Sequence, residues 1–175
     1  MNPIPKYNGP IAILDLLGFS DFVNVNNIDD IQTMYARIIT SSFFTAEVLK
    51  ENLDFMVYSD IIAIRLVNLT EEGFENFILS LCLIIQQYFY IKITGWEKTL
   101  PIRGAVSIGE YSWYNCNITT RANLQEPIIA KNVNFIVGKP VIQAHELESM
   151  QEWIGVSMKN DTALLFKKII SYFFQ

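Results

Sequence analysis

Residues 11–22 read IAILDLLGFSDF. Four apolar residues, Ile11 to Leu14, run straight into a carboxylate, Asp15, and Gly18 follows three positions later. The apolar run predicts a short strand over 11–15, central in its sheet and buried on both faces. A lone buried carboxylate is expensive unless it is paired, neutralised or bound to a cation. Asp15 is therefore either a strand-tip residue facing a cation or a cationic side chain, or an ordinary turn residue.

Working outward, the apolar positions Ile31, Tyr35, Ile38 and Ile39 recur at helical spacing from Ile28. With Asn27, Asp29 and Asp30 at its start, this pattern predicts a helix to about Leu49. The stretch LDFMVYSDIIAIRLV (53–67) holds two β-rich runs separated only by Ser59-Asp60, which reads as a tight hairpin with an acid at its turn. Residues 71–92 predict a second, strongly apolar helix. LPIRGAVSIGEY (100–111) predicts another strand, with Gly104 and Gly109 marking close backbone approach or bends. The Asn-, Thr- and Pro-rich segment 115–135 reads as an irregular excursion. IVGKPVIQAHELESM (136–150) reads as a loop leading into a helix, WIGVSM (153–158) as a strand and 161–173 as a last helix. This order fits an α+β sandwich: a ferredoxin-like split βαβ palm, mainly antiparallel, with its helices on one face. Such a topology brings Asp15 and the Ser59-Asp60 turn together.

The chain has 175 residues, half of them apolar, which is enough for one domain over 1–175 with a sizeable core. A net charge of −5 gives no basic footprint and argues against a nucleic-acid partner. The most apolar stretch, residues 77–93, is broken by Ser80, Gln86, Gln87 and Lys92 and is too short and interrupted to span a bilayer. With no charged leader at the N-terminus, the expectation is a soluble, cytoplasmic protein with no membrane partner. Cys82 and Cys116 match no zinc or redox spacing and read as a reduced pair. Three glycosylation-type triplets, at Asn68, Asn117 and Asn160, read as chance matches. His145 reads as a structural or surface residue, and Lys139 beside Gly138 lacks the glycine spacing of a phosphate loop.

Two carboxylates at neighbouring strand tips, Asp15 and Asp60, form a candidate site for Mg²⁺ or Mn²⁺. Magnesium takes one or two protein carboxylates and completes its octahedron with water and substrate phosphates. Gly18 lets the turn's N–H groups approach phosphate oxygens, and Arg103 could neutralise charge developing on them. Each residue alone has a structural reading: a cap or turn for Asp15, a hairpin turn for Asp60, a salt bridge for Arg103.

The order of these pieces resembles the class III nucleotide cyclase catalytic domain over roughly residues 10–160. ILDLLGFSDF is similar to the family's Phe-x-Asp-x-x-Gly-Phe metal segment, with Ile13 in the aromatic position. YSDIIAI is similar to the hairpin that carries the second metal aspartate, with Ser59 where the common form has Gly. RGAVSIG is similar to the Arg-x-Gly-Ile-x-x-Gly strand, with Ala105 in place of the middle glycine. GKPVIQAHELE follows the outline Gly-x-x-Val-Asn-x-Ala-x-Arg-Leu, but Ile142 and Glu146 stand where purine cyclases place Asn and Arg. The combination of LDLLGFS, YSD, RGAVSIGE and HELE resembles the pyrimidine cyclases of the Pycsar anti-phage systems.

The resemblance implies a homodimer with shared active sites that converts UTP or CTP to the 3′,5′-cyclic nucleotide and pyrophosphate. Asp15 and Asp60 are then the catalytic carboxylates that hold two Mg²⁺ or Mn²⁺, with the carbonyl of Leu16. The backbone of Leu17, Gly18 and Phe19 cradles the triphosphate, and Arg103 contacts phosphate. The base is read in the region of Asn52, Asp54, Met56 and Tyr58, with Tyr58 or Tyr35 filling a pyrimidine-sized pocket. Two alternatives stand beside this reading: a purine cyclase of the same fold, and an inactive nucleotide-sensing or dimerisation module.

Overall fold

The computed structural model describes residues 4–49, 53–67, 70–90, 100–120 and 129–164. Among the described residues, six strands and four helices with both ends described follow the order β1 (Lys6–Leu16), α1 (Phe19–Val25), α2 (Ile28–Leu49), β2 (Leu53–Tyr58), β3 (Ile61–Leu66), α3 (Glu71–Tyr90), β4 (Ile102–Thr120), β5 (Ile129–Gly138), α4 (Lys139–Ser149) and β6 (Gly155–Met158). The strands form one sheet in the order β2-β3-β1-β4-β5. β6 runs parallel to the start of β4, while every other pairing is antiparallel.

β1 is central and buried on both faces, as its apolar run predicts. Ala12, Leu14 and Leu16 point into one core with Phe22, Phe74, Phe77 and Ile84. Ile11 and Ile13 point into another with Ala105, Trp113 and Ala144. Fully burying a side chain of this size contributes about 1.5–3 kcal/mol, so two cores pin the register of β1 from both sides. α2 starts where Asn27 Oδ1 accepts the Asp30 N–H at 3.0 Å, and α3 where Thr70 Oγ1 accepts the Gly73 N–H at 2.9 Å. Both are side-chain caps of helix N-termini.

Three features differ from the sequence expectation. Helices cover both faces: α2 and α3 pack against each other, while α4 lies over β1 and β4 and buries Ala144 on the face opposite Phe74 and Phe77. Segment 115–135 is no irregular excursion where it is described, because β4 runs on to Thr120 and pairs with β5 from Tyr111↔Gly138 to Thr120↔Ile129. β-branched Ile118, Thr119, Thr120, Ile129 and Val133 favour the extended arm over a loop. Residues 136–138 likewise close β5 instead of forming a loop. The short α1 follows Gly18, whose φ of 80° is a conformation that glycine adopts without strain. The last predicted helix is helical where it is described, up to residue 164; 165–173 lie outside the described residues. Among the described residues no helix is long and apolar enough to cross a membrane.

Candidate active site

The register of β1 decides what Asp15 meets. Asp15 stands opposite Ile61 of β3 on one side and Arg103 of β4 on the other, on the same face as Ile11 and Ile13. Close approach of β4 requires Gly104, where a Cβ would lie 2.5 Å from Leu14 Cδ2 and 2.6 Å from the Ile13 carbonyl oxygen. Arg103 Nε donates to Asp15 Oδ2 at 3.1 Å. The cationic side chain that the buried carboxylate needs is therefore a cross-strand neighbour.

Arg103 is shared. Its Nε also lies 2.6 Å from Oε1 of Glu148 on α4, a buried oxygen held by ion-pair contact without an aligned hydrogen bond. Arg103 Nη1 donates to the Gln151 carbonyl at 3.3 Å, and His145 Nδ1 lies 3.4 Å from Glu148 Oε2. Gln151 extends the network: its Nε2 donates to the carbonyls of Trp153 and Gly155, and its Oε1 accepts from Ser157 Oγ. One arginine thus ties the tip of β1 to the C-terminal turn of α4 and the approach to β6.

The hairpin turn brings in the second acid. Ser59 adopts φ 52°, and its carbonyl accepts a hydrogen bond from the Tyr35 hydroxyl of α2. The Asp60 carbonyl accepts the Leu16 N–H at 2.9 Å, which fixes Asp60 beside the end of β1 through its backbone and leaves its carboxyl free of that task. Burial raises the Asp15 pKa, Arg103 pulls it back, and the negative charge of Asp60 raises it again. The Asp60 charge therefore acts on Asp15, whose one arginine is shared with Glu148, so acids outnumber the cation there.

That imbalance fits a divalent cation. Two carboxylates with water and phosphate oxygens are a normal donor set for Mg²⁺. Among the described residues no cluster of three or more His, Cys, Asp and Glu side chains is arranged around a common point, so any cation here rests on the two-carboxylate set.

The remaining residues singled out from sequence take varied places. The Leu17 N–H donates to the Pro101 carbonyl at 2.8 Å, so Leu16 and Leu17 amides are both engaged within the chain. Gly18 opens α1, and the Phe19 ring is buried in the core, 5.9 Å from the Tyr35 ring in an edge-on arrangement. Tyr58 is exposed, with its hydroxyl directed to the Met56 sulfur. Tyr35 clamps the Ser59 turn. Ile142 and Glu146 lie on the exposed side of α4. Cys82 is a free thiol; Asn52 lies outside the described residues.

Sequence reasoning missed Glu148 and Arg65. Glu148 follows His145 by three residues on α4 and is nearly fully buried; only the helix's position over β4 distinguishes it from its exposed neighbour Glu146. Arg65 had a signal, as a lone cation inside the apolar run IIAIRL.

The fold is that of nucleotide cyclase catalytic domains. Similar solved structures include the catalytic core of a rhodopsin-guanylyl cyclase with converted specificity, in complex with ATPαS. It matches with a TM-score of 0.74 at 13% identity over 95% of this chain and 85% of that one. A dimeric guanylyl cyclase domain of the RhoGC fusion protein from the aquatic fungus Blastocladiella emersonii matches with a TM-score of 0.71 at 13% identity, over 94% and 86%. The adenylyl cyclase CyaB from P. aeruginosa matches with a TM-score of 0.63 at 17% identity, over 94% and 84%. No protein-family model and no curated protein matches the sequence.

Proposed function

We propose that the chain is a pyrimidine nucleotide cyclase that converts UTP or CTP to the 3′,5′-cyclic nucleotide and pyrophosphate, making a second messenger for anti-phage defence. The observation that carries the cyclase part is the juxtaposition of Asp15 and Asp60 at one end of a cyclase-type sheet, where the one arginine beside Asp15 is shared with Glu148. The pyrimidine and defence parts rest on the sequence resemblance.

Asp15, Asp60 and the Leu16 carbonyl would hold Mg²⁺ or Mn²⁺, which supplies Lewis-acid activation of the ribose 3′-hydroxyl and charge neutralisation on the phosphates. The chain's own residues position the reactants. The backbone bond from the Leu16 N–H to the Asp60 carbonyl anchors the second acid beside the strand end that carries Asp15. The amides of Gly18 and Phe19 are the cradle's donors, since that of Leu17 is bonded to Pro101. Arg103 sits beside Asp15 and can exchange it for a phosphate oxygen while Glu148 keeps it in place. In-line attack on the α-phosphorus then draws on positioning and charge stabilisation.

A homodimer with shared sites accompanies this reading. Val137, Ile142, Met150 and Trp153 are all more than half exposed, an apolar density around α4 that suits a protein contact. The similar fungal cyclase domain has been solved both as a non-canonical dimer and as a monomer. Soluble cytoplasmic residence belongs to the same proposal.

The test is incubation of the purified protein with each of the four nucleoside triphosphates and Mn²⁺, with products identified by mass spectrometry. Cyclic UMP or cyclic CMP as the main product supports the proposal. A purine cyclic nucleotide as the main product refutes the pyrimidine assignment. No cyclic product from folded protein refutes the enzyme reading and leaves the nucleotide-sensing module.

A further inference from the structure

The turn that presents Asp60 is held in a conformation its first residue does not favour. Ser59 and Asp60 form a two-residue loop between the paired Tyr58 and Ile61. Ser59 takes φ 52°, and among the described residues it is the only non-glycine with a positive φ. A positive φ at the first loop position alone is the hairpin geometry that favours glycine there. A residue with a side chain stays in that region only where its surroundings over-determine it. Here they act through both loop carbonyls. The Asp60 carbonyl accepts the Leu16 N–H at 2.9 Å, and the Ser59 carbonyl accepts the Tyr35 hydroxyl. The first bond ties the turn to the end of β1, the second ties it to α2.

Tyr35 is well placed for this. It stands about two turns into α2, whose start is capped by Asn27, and it follows Met34, which is buried in the core. The Tyr35 ring packs against the same core and meets the Phe19 ring edge-on at 5.9 Å. The hydroxyl thus reaches the turn from an anchored ring. Burial first, and then the negative charge of Asp60, raise the Tyr35 pKa above its ordinary 10.0, so at neutral pH the hydroxyl keeps its proton and donates it. The Asp60 carboxylate is near enough to act on that hydroxyl, yet the hydrogen bond goes to the Ser59 carbonyl. One side chain therefore touches both the turn that carries the second acid and Phe19, whose amide closes the phosphate cradle.

We infer that Tyr35 is a positioning residue for the reaction, locking the strained Ser59 turn so that Asp60 is held towards the metal site. The inference rests on the cyclase reading and deepens it, giving α2 a part in a site whose carboxylates come from the sheet. Tyr35 touches no reacting atom and acts through Asp60. Its hydroxyl is needed because position 59 carries a side chain; with glycine there, the turn adopts the same conformation without strain.

The probe is Mn²⁺ itself, titrated into nucleotide-free protein, with free Mn²⁺ followed by electron paramagnetic resonance. Tyr35→Phe removes the hydroxyl and keeps the ring on Phe19. It is expected to weaken Mn²⁺ binding about fivefold, the net worth of one hydrogen bond, and to lower kcat by more than it raises KM for whichever triphosphate is cyclised. Adding Ser59→Gly is expected to restore the Mn²⁺ affinity to within about twofold of wild type. A merely structural tyrosine would lower Tm and leave Mn²⁺ affinity and kcat where they were. Affinity in folded Tyr35→Phe equal to wild type, or a loss that Ser59→Gly does not restore, overturns the inference. If Tyr35→Phe does not fold, the double variant decides: affinity near wild type supports the inference, and weakened affinity overturns it. Wild-type protein that binds no more Mn²⁺ than Asp60→Asn refutes the metal role of Asp60, and the inference falls with it. Binding that Asp60→Asn weakens and Tyr35→Phe leaves unchanged refutes the inference alone.

Discussion

Glu148→Gln tests the network that holds Arg103 beside Asp15. The amide keeps the shape of the side chain and removes its charge. Glu148 is 3% exposed, and its Oε1 lies 2.6 Å from Arg103 Nε. Removing one partner of a fully buried ion pair costs about 3–5 kcal/mol because the other charge is stranded. Arg103 is not stranded here: its side chain is 29% exposed, it keeps Asp15 at 3.1 Å, and it still donates to the Gln151 carbonyl. The remaining penalty is that of imperfectly satisfied buried polar groups, about 1–3 kcal/mol. Taking ~2 kcal/mol, and ~2–4 °C per kcal/mol for a chain of this size, thermal unfolding followed by circular dichroism should show Tm lower by about 4–8 °C. His145→Ala is the control, since a 60% exposed histidine contributes at most ~0.5 kcal/mol through such a contact. A Tm for Glu148→Gln within 1 °C of wild type would refute the reasoning, because the ion pair would then not be fastening α4 to β4.

Asp60→Asn keeps the backbone carbonyl that accepts the Leu16 N–H, so Tm should move by less than ~2 °C while cyclic-nucleotide formation falls at least a hundredfold in the four-triphosphate assay. A large loss of stability would mean that the carboxyl is structural. Gly104→Ala places a Cβ 2.6 Å from the Ile13 carbonyl oxygen, an overpacking that should cost about 1–3 kcal/mol or more in urea unfolding; an unchanged midpoint would contradict the close approach of β1 and β4. The Asp15 pKa is raised above its ordinary 3.8, so the folded state binds more protons than the unfolded one between that pH and the folded pKa. Stability therefore falls as pH rises through this window. In metal-free buffer the Tm of Asp15→Asn relative to wild type should increase from pH 4 towards neutrality; a flat difference would show that Asp15 does not carry the shift.

The elements legible in the sequence were those whose pattern is set by one face or one turn. The periodicity of Ile31 and Tyr35 with the Asn27 cap gave the span of α2, and Ser59-Asp60 between two β-rich runs gave the hairpin. Both signals are local. What went unread depends on contacts between distant segments. The β4–β5 arm carries Asn and Thr through 115–120, residues common in loops, and it is their cross-strand register with 129–134 that holds them extended. α4 is held over β1 and β4 by long-range contacts, Ala144 packed with Ile11, Ile13 and Ala105, and Glu148 on Arg103. The same distinction holds at the site. Asp15 and Asp60 are visible as acids that interrupt apolar strands, whereas Glu148 looks like any helix glutamate until α4 is laid on the sheet.

Asp15 illustrates why the local puzzle had two answers. Its ordinary structural solution, a cationic partner, is present in Arg103, and for a purely structural acid the matter would end there. The partner does not balance the charge, because Arg103 divides itself between Asp15 and Glu148 and the Ser59 turn places a second acid close enough to push the Asp15 pKa further up. An apolar residue at position 15 would remove the desolvation cost and the repulsion together. Groups with such unrelieved environments concentrate where a fold binds or transforms a ligand. The geometry at the tip of β1 is therefore better explained by a site that expects further positive charge than by a salt bridge that happens to be buried.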